Sequence, residues 1–301
     1  MKLTIFSILA SIILLAICKN SMASSTQVMF VTNTEPNNRL YSCNYKLTIC
    51  NYYNTDINLD TITANPQFEL WGEEMRPSIL LVSKTANTTA KILSCEFFQD
   101  QLNMDCEKIN LNLPTASSYS TLVTRFATPF SSLFVSNSSV IYHCIPPMCQ
   151  HYQVPQIKDL FFNDKDNMLY MLNSSGTILS YEYDSPTLVR KDVDTLQNFG
   201  MTAIAFNNSR STLYVATKNG IEYLPVSDNG TVIGTHVLVT NLGGSAKYLA
   251  TNQDDLYALT DNEIIHINLS TKSTRVFHIA GTVPVSNIKS LTAYEDPNTH
   301  G

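Results

Sequence analysis

A short apolar phrase recurs along this chain. Leu133-Phe134-Val135, Leu169-Tyr170-Met171, Leu213-Tyr214-Val215 and Leu256-Tyr257-Ala258 are each followed by polar turn residues and then by a second apolar run. Ile79-Leu80-Leu81-Val82 and Met29-Phe30-Val31 read as earlier copies. The five steps from Phe30 to Tyr257 average about 45 residues, a period at which one small unit cannot bury its apolar face alone and must stack on its neighbours.

The later units show what each repeat contains. Ile157 to Phe162, Met201 to Phe206 and Ala246 to Thr251 align as a first strand, each leading into an Asn- or Asp-rich turn and then the apolar phrase as a second strand. A further turn, such as Ser174-Ser175-Gly176 or Lys218-Asn219-Gly220, opens a third strand, and segments such as Thr235 to Val239 and Thr274 to Ile279 supply a fourth. The two ends are complementary. Ile288 to Pro297 matches a first strand with no second strand after it, whereas Gln27 to Val31, Arg39 to Cys43 and Ile49 to Tyr53 match second, third and fourth strands with no first. The expected fold is therefore all-β: a six-bladed β-propeller closed by pairing of the C-terminal strand with the N-terminal blade. A seven-bladed ring and a β-sandwich are weaker fits, since a sandwich does not call for complementary missing strands.

These placements of Leu-Tyr-Val, Asn-Gly and Ile-x-x-Tyr resemble the secreted β-propellers of the NHL-repeat, TolB-like and lactonase-like group, over nearly all of residues 24–301. Trp71 is the one tryptophan, so the tryptophan signatures of WD40 blades and quinoproteins are absent. The resemblance implies a central channel whose mouth can hold a polar ligand, and in lactonase-like members a calcium ion. Asn65, Asn198, Asn241 and Asn287 are each expected just before a first strand, on the connections that border that mouth, with Asp159 as the nearby carboxylate. Calcium asks for several anionic oxygens, so a single Asp makes it a weak expectation. The plainer account of the Asn residues is that Asn is a good loop former.

The N-terminus bounds the compartment. Lys2, an apolar stretch over residues 3–17 and Ser21-Met22-Ala23 form an export signal over residues 1–23, leaving a single domain over residues 24–301. The apolar stretch falls short of the ~20 residues needed to span a membrane. Cys18 suggests a lipoprotein box, but Ile17 stands where such a box takes a small residue, which weighs against lipid anchoring. The expected location is secreted or periplasmic. Six cysteines then remain, as Cys43 and Cys50, Cys95 and Cys106, Cys144 and Cys149, each pair bracketing a turn between third and fourth strands of one unit. That placement selects local disulfides from 15 arithmetic pairings. Zinc held by His143, Cys144, Cys149 and His151 is the rival, weakened because adjacent strand residues face opposite ways.

No catalytic set stands out. Gly243-Gly244-Ser245-Ala246-Lys247 lacks the last glycine of a nucleophile elbow, and Ser286 and Lys289 have Ser-x-x-Lys spacing in a segment read as strand. None of His143, His151, His236, His266, His278 and His300 has a carboxylate partner at a telling spacing. A formal net charge of −6 disfavours nucleic acid and anionic membranes. The expectation is an exported binding module for a protein, glycan or small molecule at the mouth or rim, more binder than enzyme, with a lactonase-like metal-dependent hydrolase as the alternative.

Overall fold

In a computed structural model of the chain, the residues described are 26–32, 39–54, 59–65, 78–83, 91–97, 104–109, 111, 113, 121–125, 132–154, 156–163, 167–184, 187–191, 200–207, 210–226, 237–242, 244–277 and 285–295. They form six four-stranded antiparallel sheets. Sheet 1 orders β24 (Ile288–Glu295), β1 (Thr26–Thr32), β2 (Arg39–Asn44) and β3 (Cys50–Asn54); sheet 2 holds β4 (Leu59–Asn65), β5 (Ser78–Ser83), β6 (Lys91–Phe97) and β7 (Met104–Ile109). Sheet 3 comprises β8 (Thr121–Arg125), β9 (Ser132–Ser136), β10 (Val140–Ile145) and β11 (Met148–Gln153), and sheet 4 comprises β12 (Ile157–Asn163), β13 (Met168–Asn173), β14 (Ile178–Asp184) and β15 (Thr187–Lys191). Sheet 5 is β16 (Ala203–Asn207), β17 (Thr212–Thr217), β18 (Gly220–Pro225) and β19 (Val237–Thr240); sheet 6 is β20 (Tyr248–Asn252), β21 (Asp255–Leu259), β22 (Ile264–Asn268) and β23 (Thr274–Phe277). This is a β-propeller architecture.

The sheets meet face to face, and that contact explains the apolar phrase. Every residue of β9 and β21 is buried, because a second strand has sheets packed on both of its faces. The fourth strands β11, β15 and β23 are mostly exposed. Six apolar clusters each draw side chains from two consecutive sheets, and one of them, holding Val28, Phe30, Leu47, Tyr257 and Leu291, joins sheet 6 to sheet 1. First strands lie side by side in the same order, β4 with β8, β8 with β12, β12 with β16 and β16 with β20, while β24 touches both β20 and β4. Strand β24 pairs with β1 from Thr26↔Glu295 to Thr32↔Ile288.

Facing direction corrects one alignment. Phe134 stacks on Phe162 of the next sheet at 5.2 Å, Tyr170 on Phe206 of the next at 6.0 Å, and the Tyr257 hydroxyl donates to the Tyr45 carbonyl of sheet 1 at 3.0 Å. Phe30 points the other way, into the cluster shared with sheet 6, and Met29 takes the forward place beside Ile62 and Leu93. With a period of two, a one-residue offset exchanges faces, so the copy in sheet 1 is centred on Met29.

The cysteines pair as expected: Cys43–Cys50, Cys95–Cys106 and Cys144–Cys149, each directly cross-strand with Cα atoms 4.1 Å apart. Both sulfurs of the zinc alternative are thus consumed. His143 stacks instead on Phe134, with ring centroids 4.8 Å apart. Trp71, Asn198, His236, His278, His300 and the expected signal over residues 1–23 lie outside the described residues.

Candidate functional site

The starts of the first strands share a device that the sequence does not announce. In β12, Ile157 and Asp159 pair with the neighbouring residues Asn173 and Leu172, so Lys158 is an extra residue bulged out of the ladder. The same shift makes Asp60 extra in β4 and Lys289 extra in β24. Ahead of β16 the Thr202 N–H donates to the Ala216 carbonyl at 2.8 Å although Ala216 already pairs with Ala203. Ahead of β20 the Lys247 N–H donates to the Leu259 carbonyl at 2.6 Å although Leu259 pairs with Tyr248. Five of the six first strands therefore begin with the same bulge.

A bulge re-aims side chains that would otherwise alternate, and Asp159, Ser290 and Thr202 here reach the next sheet. Asp159 Oδ1 accepts from its own neighbour Leu160 N–H at 2.9 Å, and Oδ2 accepts from Ile204 N–H of sheet 5 at 3.2 Å. Ser290, the corresponding residue of sheet 1, accepts from Ile62 N–H of sheet 2 at 3.3 Å and shares a 3.2 Å bond with the Thr61 hydroxyl. Thr202 donates to the Ala246 carbonyl at 2.6 Å. First strands are edge strands of their sheets, and these side chains satisfy backbone groups that would otherwise lack a ladder.

Asp159 differs from Ser290 in carrying a titratable group. Burial between sheets 4 and 5 pushes its carboxyl up to about 7, outweighing the two N–H donors and Lys158, which favour the anion. Burial also lowers the Lys158 ammonium, against the pull of Asp159. Tyr248, at the corresponding place in sheet 6, has its hydroxyl raised by burial and further by the Asp159 charge. Lys158, Asp159 and Tyr248 thus form an electrostatically linked group at the starts of the first strands.

Of the expected Asn residues that are described, Asn241 and Asn287 precede a first strand and Asn65 does not. Asn65 is the last residue of β4, at the far end of the strand from the bulge at Asp60, because the first strand of that unit begins at Leu59, earlier than expected. Asn241 is exposed in the link from β19 to β20, and Asn287 lies in the short 3-10 turn Val285–Asn287 just before β24. The links are shaped by glycines of the neighbouring turns. A Cβ on Gly220, at φ +126°, would lie 2.1 Å from the Thr240 carbonyl oxygen, and one on Gly176, at φ +79°, 2.8 Å from the Met201 nitrogen. Other Asn side chains act as turn caps: Asn137 Oδ1 accepts from Ser139 and Val140 N–H, both at 2.9 Å, and Asn268 Oδ1 from Thr271 N–H at 2.8 Å.

Calcium does not fit this donor set. Both Asp159 oxygens are already engaged by backbone N–H groups, and among the described residues no three His, Cys, Asp or Glu side chains gather closely enough to hold a metal ion. One acid–histidine pair does occur, contrary to the sequence expectation: His266 Nε2 lies 2.7 Å from Asp255 Oδ1, both buried, with His266 tilted against Tyr257 at 5.0 Å. It belongs to the contact between sheets 6 and 1. Eleven residues separate the pair in sequence, and only the register of the β21–β22 hairpin brings them together.

No family model matches the chain, and no curated protein does. Solved structures do. A 6-phosphogluconolactonase candidate from Bacteroides uniformis superposes with a TM-score of 0.55 at 13% identity, covering 90% of this chain and all of its own. A protein of unknown function from Desulfotomaculum acetoxidans gives 0.55 at 11% identity, covering 87% of this chain and 98% of its own. Sqt1 from Chaetomium thermophilum, bound to the N-terminus of the ribosomal protein L10, gives 0.50 at 12% identity over 86% of this chain and 76% of its own. At these identities the likeness is one of fold, and the class it defines is the β-propeller.

Proposed function

We propose that the six sheets are the blades of one closed ring and that this chain is an exported binding module whose ligand sits at the mouth bordered by the starts of the first strands. Closure is supported by the β24–β1 pairing and by the cyclic order of the first strands. The observation that carries the site is the repeated bulge, which sets Lys158, Asp159 and Tyr248 at one end of the first strands on a scaffold of paired strands. Three disulfides and a leader-like segment over residues 1–23 support an oxidising compartment outside the cytoplasm. No helix among the described residues is long and apolar enough to cross a membrane. Sqt1 bound to the N-terminus of L10 is an instance of the fold holding a protein segment.

The test is ligand capture by the disulfide-bonded chain from a glycan array and from the extracellular fraction of its host, repeated with the variant carrying Asp159→Asn and Tyr248→Phe. Capture lost in that variant, with cooperative unfolding retained, is the expected result. Capture indifferent to these changes would move the site elsewhere, and calcium-dependent turnover of a lactone panel would replace the binding reading with a hydrolase.

A further inference from the structure

The turn after a third strand sends an apolar side chain into the contact with the neighbouring sheet in sheets 1, 5 and 6. Val226, just after β18, packs against sheet 4, and Leu269, just after β22, packs against sheet 5. Both are anchored to their own sheet ahead of its second strand: Val226 N–H donates to the Ser211 carbonyl at 3.4 Å and Leu269 N–H to the Asp254 carbonyl at 2.7 Å. Leu47 plays this part between sheets 1 and 6, wholly buried beside Tyr257, Leu259 and Ile264, but its anchor is different. Its N–H donates to the Asn44 carbonyl at 2.8 Å, inside the turn itself. Asn44 Oδ1 accepts from Thr48 N–H at 3.0 Å and Ile49 N–H at 3.3 Å, and Cys43–Cys50 closes the turn at its base.

Leu47 is also held at φ +53°, a left-handed conformation that is costly for a bulky L residue and persists only where its surroundings fix it. The next residue but one before it, Tyr45, accepts the Tyr257 hydroxyl of sheet 6 on its carbonyl at 3.0 Å. The turn closed by Cys144–Cys149 has no such reach, since Met148 at its end is 74% exposed. One disulfide therefore fixes a turn that grips another sheet. The cluster it grips includes Ile288 and Leu291 of β24, the strand that completes sheet 1.

We infer that Cys43–Cys50 is a redox-sensitive latch on the contact between sheets 6 and 1, opened by a dithiol reductant. A thiolate of the reductant attacks Sγ of Cys50, the half-buried member, and Cys43 leaves as the thiol; the second thiol of the reductant then displaces Cys50. Two electrons pass to the protein, two S–H groups form on it, and the reductant departs as its own disulfide. The freed turn lets Leu47 relax from its left-handed conformation, and Leu47 and the Tyr45 carbonyl withdraw from sheet 6. The latch depends on the contact between these two sheets and not on any ligand at the mouth.

Hydroxyl-radical footprinting of the full chain, read by mass spectrometry, measures the exposure of Leu47 and Tyr257 with and without dithiothreitol. It is repeated on two variants, one carrying Cys43→Ala and Cys50→Ala and the other Cys144→Ala and Cys149→Ala. Labelling of Leu47 and Tyr257 should rise several-fold in the reduced chain and in the Cys43/Cys50 variant, and stay at the oxidised level in the Cys144/Cys149 variant. Tyr170 and Phe206, stacked between sheets 4 and 5, should remain protected in both variants. Should the Cys43/Cys50 variant fold poorly, Leu47→Asn tolerates the left-handed turn and removes the plug; Tyr257 labelling should then be high in the oxidised chain already. Equal protection of Leu47 and Tyr257 in the oxidised chain, the reduced chain and the Cys43/Cys50 variant overturns the inference. So does an equal release in the Cys144/Cys149 variant, or Tyr257 labelling unmoved by Leu47→Asn.

Discussion

Sheets 1 to 3 and sheets 4 to 6 solve the same packing problem by different means. In the first group the third and fourth strands are joined by Cys43–Cys50, Cys95–Cys106 and Cys144–Cys149. Cys43, Cys95 and Cys144 are almost wholly buried, and each packs into the cluster shared with the preceding sheet. In the second group the residues in the same cross-strand place are Tyr181, Leu224 and Ile267, opposite Leu169, Leu213 and Leu256, and they too face the preceding sheet. Side-chain volume fills those contacts where a disulfide fills the others. The stapled hairpins gain stability chiefly by restricting the unfolded chain, the unstapled ones by burying apolar area.

Four experiments would break or sharpen this contrast. The largest effect belongs to the strand that joins the two groups. Removing residues 288–301 takes away β24, which pairs with β1 and touches both β20 and β4, and should abolish cooperative unfolding altogether; a truncated chain with a melting curve like that of the whole would show that the two groups do not depend on each other. Next, reducing all three disulfides should cost about 2 to 3 kcal/mol for each loop on the chain-entropy account. Hydrogen exchange should then rise in sheets 1 to 3 before sheets 4 to 6, and a uniform rise would mean that the staples act on the whole domain.

A smaller effect, on the order of a few kcal/mol at most, is expected from Asp159→Asn in sheet 4. Its carboxyl is raised in the folded chain from 3.8 to about 7, so the native state holds a proton that the unfolded state has released across that interval. Stability should therefore fall as pH rises through it, and the Asn variant should lose this slope, melting like wild type near the lower bound and above it beyond the upper one. Thermal melts across the series check the sign. The smallest effect is Gly220→Ala, expected to lower stability by about 1–3 kcal/mol because the added Cβ meets the Thr240 carbonyl and the positive φ is strained. Gly244→Ala, with nothing within 4 Å of its Cβ, should be neutral in the same denaturant titration.

Much of the scaffold was legible along the chain. The apolar phrase, the turns rich in Asn and Gly, and the complementary fragments at the two ends depend on local periodicity, and pairing within a hairpin preserves local order. The cysteine pairs were legible for the same reason, since 7, 11 and 5 residues separate their members. The site was far less so. Asp159 could be singled out as a carboxylate near a strand start, but its bond to Ile204 N–H joins residues 45 apart in different sheets. The bulges at Lys158 and Lys289 leave no mark in composition, because the extra residue is defined only against the partner strand. Asn65 was misplaced because the strand of its unit starts at Leu59. The His266–Asp255 pair and the offset between Phe30 and Met29 depend on register, which alternating polarity leaves open when a strand is apolar on both faces.

By itself the sequence determined a repeating four-stranded unit, its approximate period, the local disulfides and the strand that completes the first unit from the far end. Those follow from side-chain alternation and turn chemistry, which act over a few residues. Only the tertiary structure decided which side chains of the first strands face the next sheet, that one carboxyl would be buried there with its proton affinity raised, and that lysines would recur at the bulged position. Those outcomes depend on how neighbouring sheets abut, and the backbone groups left unpaired at each sheet's first strand set what the bulged side chains must do.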